Sequence, residues 1–409
     1  MPALRLSWVA LCAASAFAVL AAGCDKSADT PPARPAAPDA APVSLQQGLA
    51  DLIGHLDVQH PGRGVTDYPG NTVEDIPKSY ALVAKAALAY PGTARLDQAG
   101  ASALAWLRGH AGLDPSGIPG WGVPVAWDAF GDGSVNPASA NYTISTAIVC
   151  DALMDYAAAP STPAADGQAA IGLCAQAMRP YLPQATRSPS GMPPYSLTPA
   201  DRPYDVFNPA AYLAGQAQRL SQLVQDPALA GQLRELADTT MGVMLAQHKT
   251  TQAGNWYWAY SIQEDVPNDL PHASYVIRGI LDYAEHGGKL ASQYDLPAVK
   301  RHVADFVDPA QGYIRAWPAF RADVNNGARS YDLGFAMGLV CREPGFEAGL
   351  RARLVDAIRN YRQPDGRYTK YPTAGAGMTA DTPLVVNEYE SYLLFGLAQC
   401  ASHPAPAPG

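Results

Sequence analysis

The chain repeats one pattern six times, and that repetition limits what it can fold into. Each copy begins with a helical stretch, breaks at a turn glycine, crosses a loop rich in aromatic and polar residues, and enters a second, more apolar helical stretch. The turn glycines are Gly64, Gly120, Gly191, Gly254, Gly312 and Gly366. They fall about 60 residues apart, the kind of loose period that repeat architectures show. The turns look alike: Asp308-Pro-Ala-Gln-Gly-Tyr313, Gln363-Pro-Asp-Gly-Arg-Tyr368, Asp114-Pro-Ser-Gly117 and Ser188-Pro-Ser-Gly-Met192. Pro and Gly end a helix at such places because neither continues it.

The second helices open with cap-forming residues: Ser79-Tyr-Ala-Leu, Asn141-Tyr-Thr-Ile, Asn208-Pro-Ala-Ala-Tyr, Asp269-Leu-Pro-His, Ser330-Tyr-Asp-Leu and Asn387-Glu-Tyr-Glu. The first helices are more amphipathic, as over 227–248 and 346–361. One two-sided set and one apolar set predict an outer ring facing water and an inner ring buried on all sides. The expected fold is all-α: a single closed (α/α)6 toroid of twelve helices over residues 44–402, inner helices parallel. Closure matters because an open array leaves its end helices uncovered. Six loops each precede an inner helix, so they converge on one end and line one cleft.

A chain of 409 residues, 48% hydrophobic, can bury such a core. Its charge is sparse and its balance is −9 without a basic cluster, which argues against a nucleic-acid partner. Residues 1–23 carry Arg5, an apolar run from Leu6 to Leu20 and a small-residue ending, the pattern of a secretory signal. The ending Leu20-Ala-Ala-Gly-Cys24 resembles a bacterial lipobox. The resemblance implies cleavage before Cys24, acylation of that residue, and a periplasmic or cell-envelope protein anchored to a bacterial membrane. Asp25 resembles an inner-membrane retention signal, and inner versus outer membrane stays open. Residues 24–43 read as a Pro/Ala tether and 403–409 as a disordered tail. In an oxidising compartment the remaining cysteines are expected to pair, Cys150 with Cys174 and Cys341 with Cys400. No Cys-x-x-Cys spacing exists, and no metal or cofactor is expected.

The loops carry the chemistry. The fourth, 254–275, sets Trp256, Tyr257, Trp258 and Tyr260 beside Asp265, Asn268, Asp269, His272 and Tyr275. Aromatic faces next to acids, amides and an imidazole suit a sugar, whose C–H faces stack while its hydroxyls hydrogen-bond. The second loop offers Trp121, Trp127, Asp128 and Asp132. Asp128, Asp132 and Asn136 depart from calcium-loop spacing and also fit a turn held by Asp side chains. Asp205 and Asn208 in the third loop, Asp323, Asn325, Asn326 and Arg329 in the fifth, and Glu388 in the sixth extend the polar ring. Arg315, Arg321, Arg329 and Lys370 concentrate positive charge on the fifth and sixth units, suited to an acidic ligand group or to nearby Asp partners.

The segment Trp127-Asp-Ala-Phe-Gly-Asp-Gly-Ser-Val-Asn-Pro137 with Asn141-Tyr-Thr-Ile-Ser-Thr-Ala147, and Asn268-Asp-Leu-Pro-His-Ala-Ser-Tyr275, resemble bacterial exopolysaccharide-biosynthesis proteins of the VpsJ type. More distantly the chain resembles other (α/α)6 carbohydrate-active proteins: glucuronyl C5-epimerases, polysaccharide lyases and some glycoside hydrolases. The resemblance implies a polysaccharide partner and the toroid, with export machinery as a further partner, and it implies no reaction. Three readings follow. A glycoside hydrolase needs two carboxyls, with Asp128 or Asp132 facing Asp265 or Asp269 and Glu388 in reserve. A uronate lyase or C5-epimerase needs a base and charge neutralisation, from His272 with Tyr275 or Tyr260, Asn268 and Arg329. A non-catalytic scaffold needs only the stacking aromatics.

Overall fold

The computed structural model describes residues 42–112, 114, 116–308, 313–321, 327–372 and 384–403. Cys24, Gly312, Asp323, Asn325 and Asn326, with the leader and nearly all of the tether and tail, lie outside these. Twelve α-helices occur among the described residues. The first six are α1 (Leu45–His55), α2 (Pro77–Ala89), α3 (Ala94–Gly109), α4 (Thr143–Ala158), α5 (Ala164–Met178) and α6 (Phe207–Leu220). The rest are α7 (Pro227–Gln247), α8 (Leu270–Glu285), α9 (Leu296–Arg301), α10 (Ser330–Arg342), α11 (Leu350–Ala357) and α12 (Asn387–Ser402). The architecture is the expected (α/α)6 toroid. The even-numbered helices form the inner ring, each packed on the next, and α12 closes it against α2. The odd-numbered helices pack outside, α1 covering α12.

Burial explains the two sets. Every residue of α6 is buried, so it has no side for water. By contrast α3 buries Leu96, Ala99, Gly100, Ala103, Leu104 and Leu107, one stripe at helical spacing. The outer helices of the last two repeats are shorter than expected: α9 has six residues and passes into a 3-10 turn at His302–Phe306, and α11 ends in one at Ile358–Asn360. Inner helices approach closely where glycine permits. A Cβ on Gly279 of α8 would sit 2.1 Å from the Ala211 carbonyl oxygen of α6. Cys341 of α10 and Cys400 of α12 are joined by a disulfide, 4.8 Å apart at Cα. Cys150 and Cys174, expected to bridge, are buried free thiols. Burial first, then the adjacent Cys174, pushes the Cys150 thiol well up, so the thiolate that disulfide formation requires is disfavoured.

The cap residues read from the sequence need correction. Among the inner helices Asp269 accepts from the His272 N–H as a side-chain cap, whereas the cap positions of α2, α4, α6 and α12 are Ile76, Tyr142, Val206 and Val386. The starts of α4, α6, α8 and α10 find another partner for a leading N–H, the backbone of the next loop. Thr143 donates to Tyr195 O (3.0 Å), Phe207 to Tyr260 O (3.0 Å), Leu270 to Ala316 O (2.8 Å) and Ser330 to Lys370 O (2.9 Å). Each satisfies one of the donors that a helix start leaves over. At α2 the first residue is Pro77, which has no N–H to give. Where the ring closes, the Asn387 side chain accepts from Val65 N at 3.0 Å. Elsewhere the asparagines pin their own loops: Asn141 Nδ2 donates to Ile118 O and Asn268 Nδ2 to Ala259 O. The six loops are thereby stitched into one collar around one end of the toroid.

Candidate active site

At the collar end, tyrosines from three inner helices meet on the axis. Tyr275 Oη lies 3.0 Å from Tyr392 Oη and 3.4 Å from Tyr331 Oη. Beneath them Phe335 meets Tyr275 edge-on at 4.5 Å and Tyr212 stacks on it at 5.9 Å, all buried. Aromatic packing here closes the axis, and the region between this layer and the loops is termed the basin. Below that layer lies a buried ionic cluster. Lys85 meets Asp151 (2.8 Å), Arg219 meets Asp155 (2.8 Å), and Arg278 meets Asp282 (2.7 Å) and Glu343 (3.4 Å). Burial pushes the Asp282 carboxyl up to about 7 against the pull of Arg278.

On one wall, the start of α8 builds a line of three polar groups. Asp269 holds His272 Nδ1 with one carboxylate oxygen and takes Arg329 Nη2 at 3.1 Å on the other. Arg329 is itself forked onto Asp332, Nε to Oδ1 at 3.0 Å. Burial raises the Asp269 carboxyl, but His272 and Arg329 outweigh it and hold it below its ordinary value. Burial pushes Asp332 up to about 6 even with Arg329 beside it. With Nδ1 committed to Asp269, Nε2 is the His272 nitrogen left for proton transfer. The side chain is 20% exposed, and Tyr260 stands edge-on to the ring at 5.4 Å.

The opposite wall comes from the first and last loops. Lys78 Nζ lies 2.8 Å from Glu388 and 5.6 Å from the Tyr68 ring centre. Burial pushes the Tyr68 phenol up to about 12, with Lys78 pulling it down. Asp67 accepts from Lys370 Nζ at 2.6 Å and from the Tyr389 hydroxyl. Between the walls, Trp127 meets Tyr68 (5.4 Å), Tyr142 (5.7 Å) and Tyr195 (6.3 Å).

The structure thus brings together Asp269, His272, Tyr275, Tyr260, Arg329, Glu388 and Trp127. It keeps other expected residues away. Asp265 is 81% exposed and paired with Lys249. Asp128 accepts from the N–H groups of Gly131 (2.7 Å) and Gly133 (2.8 Å), and Asp132 from Ser134 N (2.9 Å) and Tyr204 Oη (2.6 Å). Both hold turns in their own loop. Asn136 Nδ2 donates to Asp201. Of the pair expected for hydrolysis, Asp128 or Asp132 facing Asp265 or Asp269, Asp269 alone lies beside His272, with the reserve carboxylate Glu388 on the other wall. Trp121 and Trp258 are core residues, donating Nε1 to Leu107 O and Met244 O at 2.8 Å each. Trp256 stacks on His248 at 3.8 Å, and Tyr257 leans on Phe320 at 4.9 Å. Asp205 accepts from Ser190 and Gln263, and Asn268 gives its amide to Trp258 O and Ala259 O. Asp282, Glu285 and His286 bring ligand atoms within 4.8 Å of one another, but this group sits at the far end of α8 with Arg278 and Arg342 against its carboxylates.

Sequence reasoning missed Asp67, Tyr68, Lys78, Tyr331 and Tyr392. One signal was available: a lysine one residue before the apolar stretch Ser79-Tyr-Ala-Leu, where a buried cation needs a partner.

No protein-family model and no curated protein sequence matches the chain. Solved structures match its fold over most of its length. An α-mannanase of glycoside hydrolase family 76 from Bacteroides thetaiotaomicron is 11% identical, covering 88% of this chain and 96% of its own, with a TM-score of 0.59. A cellobiose 2-epimerase from Bacillus thermoamylovorans is 12% identical, covering 87% and 98%, at 0.53. A polysaccharide lyase is 12% identical, covering 87% and 96%, at 0.52. Likeness at this identity establishes the toroid, and the toroid hosts more than one reaction.

Proposed function

We propose that the protein is a carbohydrate-active enzyme that binds a saccharide in the basin and removes a proton from one of its carbons, with His272 as the base. The observation that carries this is the continuous line Arg329–Asp269–His272, which fixes the imidazole by Nδ1 at the edge of the basin. The proton moves from carbon to Nε2. Negative charge left on the sugar is met by hydroxyl donors, Tyr275 from the floor and Tyr68 beside Lys78 from the far wall. Returning a proton to carbon completes an epimerisation; delivering it instead to the glycosidic oxygen as the neighbouring C–O bond breaks and a C=C bond forms completes an elimination. Neighbours named as an epimerase and a polysaccharide lyase support the reading by analogy.

Hydrolysis is the second reading, and Glu388 is the observation that favours it. This carboxylate lies at the basin wall with Asp67 in the adjoining loop, and an α-mannanase shares the fold. The resemblance to VpsJ-type proteins and the lipobox-like ending at Cys24 support a role in exopolysaccharide biosynthesis or export, with the protein lipid-anchored in the cell envelope. A closed axis supports binding of polymer across the mouth and not through the ring.

The test incubates purified full-length protein in D2O with neutral and uronate-containing saccharides. Deuterium entering at carbon, for epimerisation, or the absorbance of an unsaturated uronate, for elimination, is the expected result. New reducing ends without either signal would replace the proton-transfer reading with hydrolysis. Silence in all three would leave a binding protein.

A further inference from the structure

We propose that the basin holds at least two sugar rings at once: the reacting ring beside His272, and its neighbour along the chain against an aromatic wall centred on Trp127. The inference rests on the reading of the basin as a saccharide site, and it narrows the substrate to oligosaccharides or polymers. Trp127, Tyr68, Tyr142, Tyr195 and Phe130 pack into an apolar cluster of their own, separate from the main core, with Tyr260 against it. Trp121 and Trp258 are fully enclosed, whereas Trp127 is half-buried. Continuity with the reacting position is supplied by Tyr260, whose ring touches both the cluster and His272. The wall is therefore one side chain away from the proposed base.

Its rigidity distinguishes it from incidental surface aromatics. Trp127 exchanges both backbone hydrogen bonds with Asn136, at 3.0 and 2.9 Å. Asn136 is buried and tied through Nδ2 to Tyr142 Oη (2.9 Å) and Asp201 (2.7 Å). Asp128 knots the intervening turn by accepting from Gly131 and Gly133. A loop fixed in this way presents an indole face without ordering it on binding, which is where preorganised sites gain affinity. A flat apolar face with no charged partner suits the C–H face of a pyranose.

The test uses full-length His272→Ala, which holds ligands without turnover, and measures affinity by calorimetry for three length series. These are glucose to cellotetraose, mannose to mannotetraose, and galacturonate to its tetramer. In a series that binds, the dimer is expected to bind about ten-fold more tightly than the monomer, a difference of about 1.4 kcal/mol. Adding Trp127→Ala should bring the dimer down to the monomer's affinity and leave the monomer unchanged. Trp127→Phe should recover part of the gain, which separates a lost ring face from a misfolded loop. Equal affinity for monomer and dimer, an equal loss at every length, or no binding in any series would overturn the proposal. Length-dependent binding with neither deuterium exchange nor unsaturated-uronate absorbance in the wild type would instead sink the proposed reaction and leave the two-ring site standing.

Discussion

Arg329 of the fifth repeat reaches across to Asp269 of the fourth, Nη2 to Oδ2 at 3.1 Å, so one repeat holds the carboxylate that orients the other's histidine. The proposed base is thus set by two units together. His272→Ala should lower kcat/KM by about 100-fold or more, the range expected for a positioned base. Arg329→Lys keeps the charge but cannot fork onto Asp332 and Asp269 together. It should lower kcat with KM little changed, and Arg329→Gln should lower kcat further. Steady-state kinetics on all three variants would check the order. Arg329→Gln equal to wild type would remove Arg329 from the line.

Acid should stabilise the ionic cluster under the floor. Asp282 has an ordinary value of 3.8 and stands at about 7 in the folded chain, so the folded state binds this proton more tightly than the unfolded one. That contribution is fully present below about pH 4 and is lost as pH rises through about 7. Asp332, at about 6, adds in the same direction. Between about pH 5 and 8 the Tm of the wild type should fall, and Asp282→Asn should flatten the fall. Asp269 has the opposite sign, since its lowered value makes its contribution disappear only as pH drops below about 4. A melting series from about pH 3 to about pH 8, wild type against variant, reads both windows.

Glycine at 279 is required by the closeness of α6 and α8. Gly279→Ala would drive a methyl to 2.1 Å from Ala211 O, a backbone atom that cannot rotate away. The cost should reach about 1–3 kcal/mol or more, seen as a lower denaturant midpoint. Gly231→Ala on outer helix α7 meets nothing within 4 Å and should be neutral or slightly stabilising.

Reduction of Cys341–Cys400 should destabilise the protein by about 2–4 kcal/mol, because the bridge closes a long loop between two inner helices. Cys341→Ser with Cys400→Ser should reproduce the effect, and the double variant should no longer respond to reductant. Chemical denaturation with and without reductant would decide it.

The fold was legible because it is written in repetition: helix, Gly-bearing turn, polar-aromatic loop, apolar helix. Within the site, His272, Asp269, Tyr275 and Arg329 were legible because they cluster near the starts of α8 and α10, where loop meets helix. Asp128 and Asp132 misled for a local reason. A carboxylate that closes a Gly-rich turn on its own backbone has the same spacing as one that faces a ligand. Trp121 and Trp258 misled because an indole donating to a carbonyl at the end of an outer helix is indistinguishable, in sequence, from one stacking on a sugar. Lys78 and Glu388 were not paired because their partnership exists only when the last repeat meets the first. That contact lies 310 positions apart in the chain and is made by ring closure.

The bonds handed from four of the six inner helices to the next loop are made by main-chain atoms: Thr143 to Tyr195, Phe207 to Tyr260, Leu270 to Ala316, Ser330 to Lys370. A frame secured in that way is indifferent to which side chains hang from it. Residues between the anchor points can be exchanged wholesale, acid for aromatic or base for amide, while the scaffold keeps its shape. Such a design separates the inheritance of form from the inheritance of chemistry.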